Sequence, residues 1–172
     1  VLQSQEGAAV QAYLDKRRIR RGIAVRFGMG AAPDSWDALL TAMTHKGYTK
    51  QELISAGLAV NGKNGRLYDK FRNRLMLPVI DVRGDVVGFG SRVLDKSEPK
   101  YMNTPETLTY SKRRILYGMN LAKKSKRSNI ILCEGNLDVV TLHQAGFDNA
   151  VASMGTALTQ EQLRLLSRYT KE

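Results

Sequence analysis

The spacing of apolar positions changes character twice along this 172-residue chain. Near the start it is helical. Val10, Tyr13 and Leu14 share one face of a helix expected over Ala9 to Arg21, which ends in Lys16, Arg17, Arg18, Arg20 and Arg21. Cations at a helix C-terminus are favourable in themselves, so this basic end fits a helix terminus as well as a binding surface. Pro33 and Asp34 introduce a second helix, in which Trp36, Leu39, Leu40 and Met43 stand at i, i+3, i+4 and i+7, the spacing of packing residues; it ends near Gly47. Thr49 and Glu52 form a capping box for a short third helix that runs through Ala56 and stops at Gly57.

From Arg66 to Leu94 the pattern becomes runs of Leu, Val, Ile and Phe. Leu75 to Val82 and Asp85 to Val93 read as a β-hairpin turning around Val82-Arg83-Gly84-Asp85, with further strand near Lys100 to Asn103. After Asn129 strand and helix alternate. Ile130 to Leu132 reads as a short buried strand, Leu137 to Ala145 as a helix closed by Gly146, Ala150 to Ala152 as a second strand, and Gln160 to Tyr169 as a helix capped by Thr159 and Gln162. That order predicts two parallel strands with a right-handed crossover. The fold class is therefore α/β: helices and strands mixed over residues 1–128, then a βαβα unit over 129–172.

Charge sharpens this division. The chain carries 27 Lys plus Arg against 16 Asp plus Glu, a net charge of +11. Residues 1–128 hold 24 of the cations and 11 of the acids, while 129–172 hold 3 and 5. So basic a body suits a polyanion. Seven cations, Lys112, Arg113, Arg114, Lys123, Lys124, Lys126 and Arg127, fall in a stretch without an acid; they read either as a solvated helix face or as a surface turned to a polyanion. A single cysteine, Cys133, excludes a disulfide framework and a Cys-x-x-Cys zinc pattern. With apolar runs too short to span a bilayer and no basic-then-apolar leader at Val1, the expected location is cytoplasmic.

Glu134-Gly135-Asn136-Leu137-Asp138 lies where the first strand of the βαβα unit gives way to its helix. Ligands of open α/β sheets bind at that end of a strand. Two carboxylates there suit Mg²⁺, which takes few protein ligands, or general acid-base work; acids also simply favour helix N-termini. Lys70, Arg72 and Arg74 alternate along an expected strand and so share a face, with Phe71 and Asn73 on the other; Arg92, Lys100 and Asn103 follow. Exposed, such an array grips phosphates; buried, it would require an internal ion-pair network. Tyr101 and Tyr110 suit either base stacking or packing.

Taken in order, Tyr68 to Pro78, Gly88 to Leu94, Pro99 to Thr107, Leu116-Tyr117-Gly118, Glu134 to Asp138 and Gly155 to Thr159 resemble the RNA polymerase core of the bacterial replicative DNA primases, the DnaG family. Weaker likeness runs back through Phe27 to Pro33 and Ala12-Tyr13-Leu14, so nearly the whole chain is covered. The resemblance implies the α+β basic N-terminal subdomain of these primases followed by the start of their Toprim domain, a Rossmann-like unit present only in part. It implies a nucleotidyltransferase that makes short RNA primers on single-stranded DNA from ribonucleoside triphosphates during replication, with Mg²⁺ or Mn²⁺. By the same resemblance Glu134 acts at the metal centre as ligand or acid/base and Asp138 supports it. Lys70, Arg72, Arg74, Arg92, Lys100, Asn103 and Lys112 are then the template or nucleotide contacts.

The family motif usually reads Glu-Gly-Tyr-Met-Asp; here Asn136 and Leu137 stand in the middle, leaving the acids intact and altering the helix entry. On this reading the chain is a piece of a larger primase. The strand bearing Asp-x-Asp, a zinc-binding N-terminal domain and a C-terminal domain that meets the replicative helicase lie outside it. Alone it is expected to bind template but polymerise little, and to hold metal weakly. Two other readings remain: another Toprim enzyme, a topoisomerase or nuclease, and a non-catalytic single-strand-binding module in which Glu134 and Asp138 only cap a helix.

Overall fold

The computed structural model describes residues 4–155 and 157–170. After one 3-10 turn, α1 (Ala8–Lys16) buries Val10 and Leu14. It does not reach Arg21. Arg18 turns left-handed (φ 55°), which costs about 1 kcal/mol in a residue with a side chain. The turn is held by two bonds that close the helix, Arg18 N–H to the Asp15 carbonyl (2.8 Å) and Ile19 N–H to the Leu14 carbonyl (2.9 Å), and it places Ile19 in the core beside Leu14. A separate α2 (Arg21–Arg26), absent from the sequence reading, then follows.

β1 (Gly30–Ala32) leads to α3 (Ala38–His45) and α4 (Lys50–Ser55). The predicted capping box of α4 is complete, with Glu52 N–H donating to Thr49 Oγ1 (3.2 Å) and Thr49 N–H to Glu52 Oε2 (2.7 Å). β2 (Ala59–Asn61) and β3 (Leu67–Asp69) form a small antiparallel ladder. β4 (Arg74–Ile80), β5 (Val86–Val93) and β6 (Tyr101–Asn103) join β1 in an antiparallel sheet ordered β1-β4-β5-β6. The turn between β4 and β5 is built on Asp81, whose carboxylate accepts the N–H groups of Arg83, Gly84 and Asp85, with Gly84 left-handed.

Alternation along β4 decides which face of this sheet is covered. Leu75, Leu77 and Val79 are fully buried on one side, opposite Arg92, Gly90 and Gly88 of β5. That face packs on α1, α2 and the second half of the chain, which continues through α5 (Met119–Ala122), β7 (Ile131–Cys133), α6 (Asn136–Gln144), β8 (Ala150–Ala152) and α7 (Gln160–Leu166). One apolar cluster runs through both halves, from Val10 and Leu77 to Val139, Val140 and Ala152.

β7 and β8 are parallel, as expected of the βαβα unit. Only β8 is fully buried: β7 has a partner on one side, whereas β8 also bridges to Tyr117, and Leu132 is 45% exposed rather than buried. Among the described residues no helix is long and apolar enough to cross a membrane.

Candidate nucleic-acid interface

The acidic motif sits at the carboxyl end of β7. Glu134 is exposed, and Asp138 stands exposed in the first turn of α6. Gly135 leaves room here for the Asp138 side chain rather than supplying a left-handed turn. Its backbone is extended (φ −126°, ψ 151°), and a Cβ on it would lie 3.0 Å from Asp138 Oδ2. The Asp138 carboxylate therefore folds back over the start of its own helix, near Cys133, whose thiol is pushed up by burial and by that charge. Among the described residues no third His, Cys, Asp or Glu joins them to complete a metal-binding group.

β5 and β6 meet this motif edge-on. Gly90 and Asn103 are register partners, and a Cβ on Gly90 would fall 2.7 Å from Asn136 Nδ2. Asn103 Nδ2 donates to the Met154 carbonyl at 3.2 Å, just past the end of β8. Arg92 lies on the same face of β5, with its guanidinium carbon 4.3 Å above the Tyr13 ring. It donates to the Val93 carbonyl (3.1 Å), and its Nε is buried without a partner. Arg17 approaches Tyr13 as well, at 5.5 Å. Lys100 and Tyr101 are exposed beside each other, ammonium 5.8 Å from ring centroid.

The expected strand through Lys70, Arg72 and Arg74 does not form. β3 ends at Asp69, Asn73 is left-handed (φ 49°) with its N–H bonded to the Pro33 carbonyl, and β4 begins at Arg74. The three cations consequently part company. Arg74 is 5% exposed and donates to the Pro99 carbonyl at 2.9 Å, so it latches the loop before β6. Arg72 turns back to the Asp69 carbonyl and packs against two aromatics, its guanidinium carbon 4.1 Å from the Trp36 centroid and 5.0 Å from that of Tyr68. Lys70 lies beside Lys112; burial first, and the Lys112 charge second, hold its ammonium below the ordinary lysine range. Two half-buried ammonium groups placed together form a receptor for anionic oxygens.

Trp36 is the main residue the sequence reading misplaced. It precedes α3 instead of lining it, is 60% exposed, and packs edge-on to Tyr68 at 5.3 Å. An exposed tryptophan backed by a guanidinium is the arrangement on which bases stack. Tyr110 goes the other way: it is 1% exposed, packed under Gly88, and its hydroxyl is held from ionising by burial, so it cannot stack on a base.

The basic tract after Tyr110 is not one helix face. Arg113 pairs with Glu161 (3.7 Å), Lys123 donates to the Val82 carbonyl, and Arg127 reaches the Gly146 carbonyl (3.1 Å) and Asp148 (3.7 Å). These contacts fasten the tract to its neighbours, and fully buried Gln162 adds bonds to the Lys112 and Ile115 carbonyls at 2.9 Å. The expected match over Gly155 to Thr159 includes Thr156, which lies outside the described residues.

A sheet carrying cations and aromatics is thus docked on a parallel strand unit with two acids at its strand end. Residues 1–123 match the family described as DNA primase catalytic core, N-terminal domain, and residues 128–172 match the Toprim domain; the chain belongs to the DNA primase catalytic core family. It is 51% identical over 161 residues to the DNA primase of Clostridium acetobutylicum, covering 93% of this chain and 27% of that protein. To the DNA primase of Escherichia coli K12 it is 42% identical over 171 residues, covering 98% and 29%. The chain thus spans less than a third of the length of these curated relatives. Among solved structures, the E. coli primase catalytic core superposes with a TM-score of 0.94 at 41% identity, covering 99% of this chain and 55% of that one. A DnaG primase catalytic domain bound to single-stranded DNA gives 0.93 at 41%, covering 99% and 56%.

Proposed function

We propose that this chain is the template-binding and metal-approach part of a DNA-directed RNA polymerase that makes short RNA primers on single-stranded DNA, residues 1–128 supplying the cationic floor and 129–172 the acidic edge. The observation that carries this reading is the docking of Gly90 and Asn103 against Asn136 and Met154, which brings the cationic sheet to the strand end holding Glu134 and Asp138. Trp36 and Arg72 stack and steer template bases, and Arg17, Arg92 and Lys100 track phosphates. Lys70 and Lys112 receive the most anionic group, the triphosphate of an incoming ribonucleotide. Arg74 is a structural latch and touches neither.

Glu134 and Asp138 fit Mg²⁺ in the manner usual for that ion, which takes one or two carboxylates and completes its shell with water and substrate phosphate. Glu134 and Asp138 would hold the ion there, and it would supply charge neutralisation for the phosphates during nucleotidyl transfer. With two carboxylates and, among the described residues, no third His, Cys, Asp or Glu beside them, this chain by itself holds the ion weakly. The protein works in the bacterial cytoplasm, at the replisome, and meets the helicase through sequence other than this chain.

Templated ribonucleotide incorporation tests the reading, in this chain extended to the length of its primase relatives. Glu134→Gln is expected to abolish incorporation while leaving oligo(dT) affinity unchanged. Equal incorporation by both forms would sink the metal assignment, and strand cleavage without incorporation would favour a topoisomerase or nuclease.

A further inference from the structure

Asp69 is a carboxylate with almost no access to solvent, 2% exposed, at the end of β3, and it belongs to none of the groups assigned above. Every polar atom it has is committed. Oδ2 accepts the Leu39 N–H at 2.7 Å and Oδ1 the Leu40 N–H at 2.9 Å; its own N–H donates to the Trp36 carbonyl at 2.7 Å, and its carbonyl accepts from Arg72. One residue therefore binds the backbone of Trp36, the first turn of α3 and the guanidinium that lies under the Trp36 ring.

Other side-chain ties at this helix start are weaker, an exposed Arg66–Asp37 ion pair at 3.8 Å and the Asp37 N–H to Ser35 Oγ at 3.4 Å. α3 has no fully buried residue, and the space between it and the sheet is an apolar cavity of about 580 Å³ lined by residues such as Met43, Phe71 and Met76. The N-cap position, Asp37, makes no side-chain cap bond, so the first-turn N–H groups of α3 depend on Asp69. A helix with little apolar anchorage is positioned by its polar contacts, and here those converge on one carboxylate.

We propose that Asp69 is the positioning residue of the Trp36, Tyr68 and Arg72 platform: it fixes the ring and the guanidinium in the geometry that accepts a base, without touching the base itself. This rests on the reading of Trp36 and Arg72 as template contacts. Asp69→Asn keeps the shape but replaces one acceptor by a donor, so one α3 N–H loses its partner.

Trp36 is the chain's single tryptophan, so its emission reports on the platform directly. In Asp69→Asn with unchanged far-UV dichroism, Trp36 emission should shift to the red and acrylamide quenching should rise. Labelled oligo(dT) should bind about tenfold more weakly, as expected for one lost stacking contact, and Trp36→Ala should match it. The double variant should lose no more than Trp36→Ala alone. Wild-type emission and quenching in Asp69→Asn, or losses that multiply in the double variant, would overturn the proposal. If Trp36→Ala binds oligo(dT) normally, the template reading fails instead, and the emission shift judges Asp69 alone.

Should Asp69→Asn fail to fold, amide exchange in the wild-type chain decides. First-turn helix amides ordinarily exchange fast for want of a partner. Protection of the Leu39 and Leu40 amides comparable to that of β4 supports the assignment, and exchange at loop rates refutes it.

Discussion

Gly90 of β5 and Asn136 of α6 stand so close that a Cβ on residue 90 would lie 2.7 Å from the Asn136 side-chain nitrogen. This close approach of the basic sheet to the acidic motif gives Gly90 a reason to be glycine that no turn requires. Gly90→Ala should destabilise the chain by about 1–3 kcal/mol, the usual range for overpacking. Because the severest contact is with the end of the Asn136 side chain, with Asn103 Oδ1 next at 3.2 Å, adding Asn136→Ala should recover most of that loss. Urea unfolding of the two single variants and the double checks this; additive losses would show that the strain lies elsewhere.

Arg72 and Arg74 are two residues apart and have different roles. Arg74→Ala removes a buried guanidinium from the Pro99 carbonyl and should cost about 1.5–3 kcal/mol of stability, the range for a hydrogen bond to a charged group. Arg72→Ala loses its bond to the Asp69 carbonyl and its contacts with Trp36 and Tyr68, so it should lower stability as well, by about 1–3 kcal/mol, but unlike Arg74→Ala it should also weaken oligo(dT) binding. Thermal melts alongside anisotropy titrations separate the two, and weakened binding in Arg74→Ala but not in Arg72→Ala would refute the placement.

Lys70 is held below the ordinary lysine range, so the folded chain binds that proton less tightly than the unfolded chain. Stability tied to this group is therefore diminished at neutral pH and recovers as pH rises from the lowered value toward the unfolded value. Lys70→Met should raise the melting temperature of the free chain at pH 7 and narrow its gain at alkaline pH. It should also weaken the binding of a ribonucleoside triphosphate while leaving oligo(dT) affinity and its salt slope unchanged, because the cations that track template phosphates lie elsewhere. A fall in melting temperature would mean that Lys70 is stabilised by contacts rather than strained by them.

His143 is buried on α6, edge-on to Phe27 at 5.1 Å; Nε2 lies 2.9 Å from the Ala150 carbonyl, and Nδ1 is buried without a partner. Burial, opposed by the Ala150 bond and Asp148 and aided by Arg26, holds its pKa below the ordinary value. The unfolded chain thus takes up the proton first, and stability should fall as pH drops below about 6.5. In His143→Gln that part of the acid sensitivity should vanish, leaving the slope below pH 6 shallower in a series of melts. An unchanged slope would assign the acid loss to other groups.

Features carried by local chemistry were legible in the sequence. Both capping boxes, Thr49 with Glu52 and Thr159 with Gln162, form as their spacing requires, because a cap needs only residues three apart. The β4–β5 hairpin and the parallel pair of strands followed from apolar runs and turn residues in the same way. The errors lie where a distant part of the chain overrules local preference. Alternation put Lys70, Arg72 and Arg74 on one face, but left-handed Asn73, tied to Pro33, ends that alternation and sends one cation inward. Helical spacing put Trp36 in a core, but α3 begins only at Ala38, held by a carboxylate some thirty residues further along the chain.

What the sequence by itself determined is therefore the kind of molecule: two unlike halves, an excess of cations, an acidic strand end and a run of motifs specific to one family. These depend on composition and on order along the chain, which folding cannot change. Only the tertiary structure decided which cations are free to meet an anion, that Lys70 and Lys112 stand together, that Trp36 is presented and Tyr110 is not, and that Asn103 reaches Met154. Exposure and proximity belong to the packed chain, because each is set by whichever distant residue supplies the nearest partner for a polar group or fills the space against an apolar one.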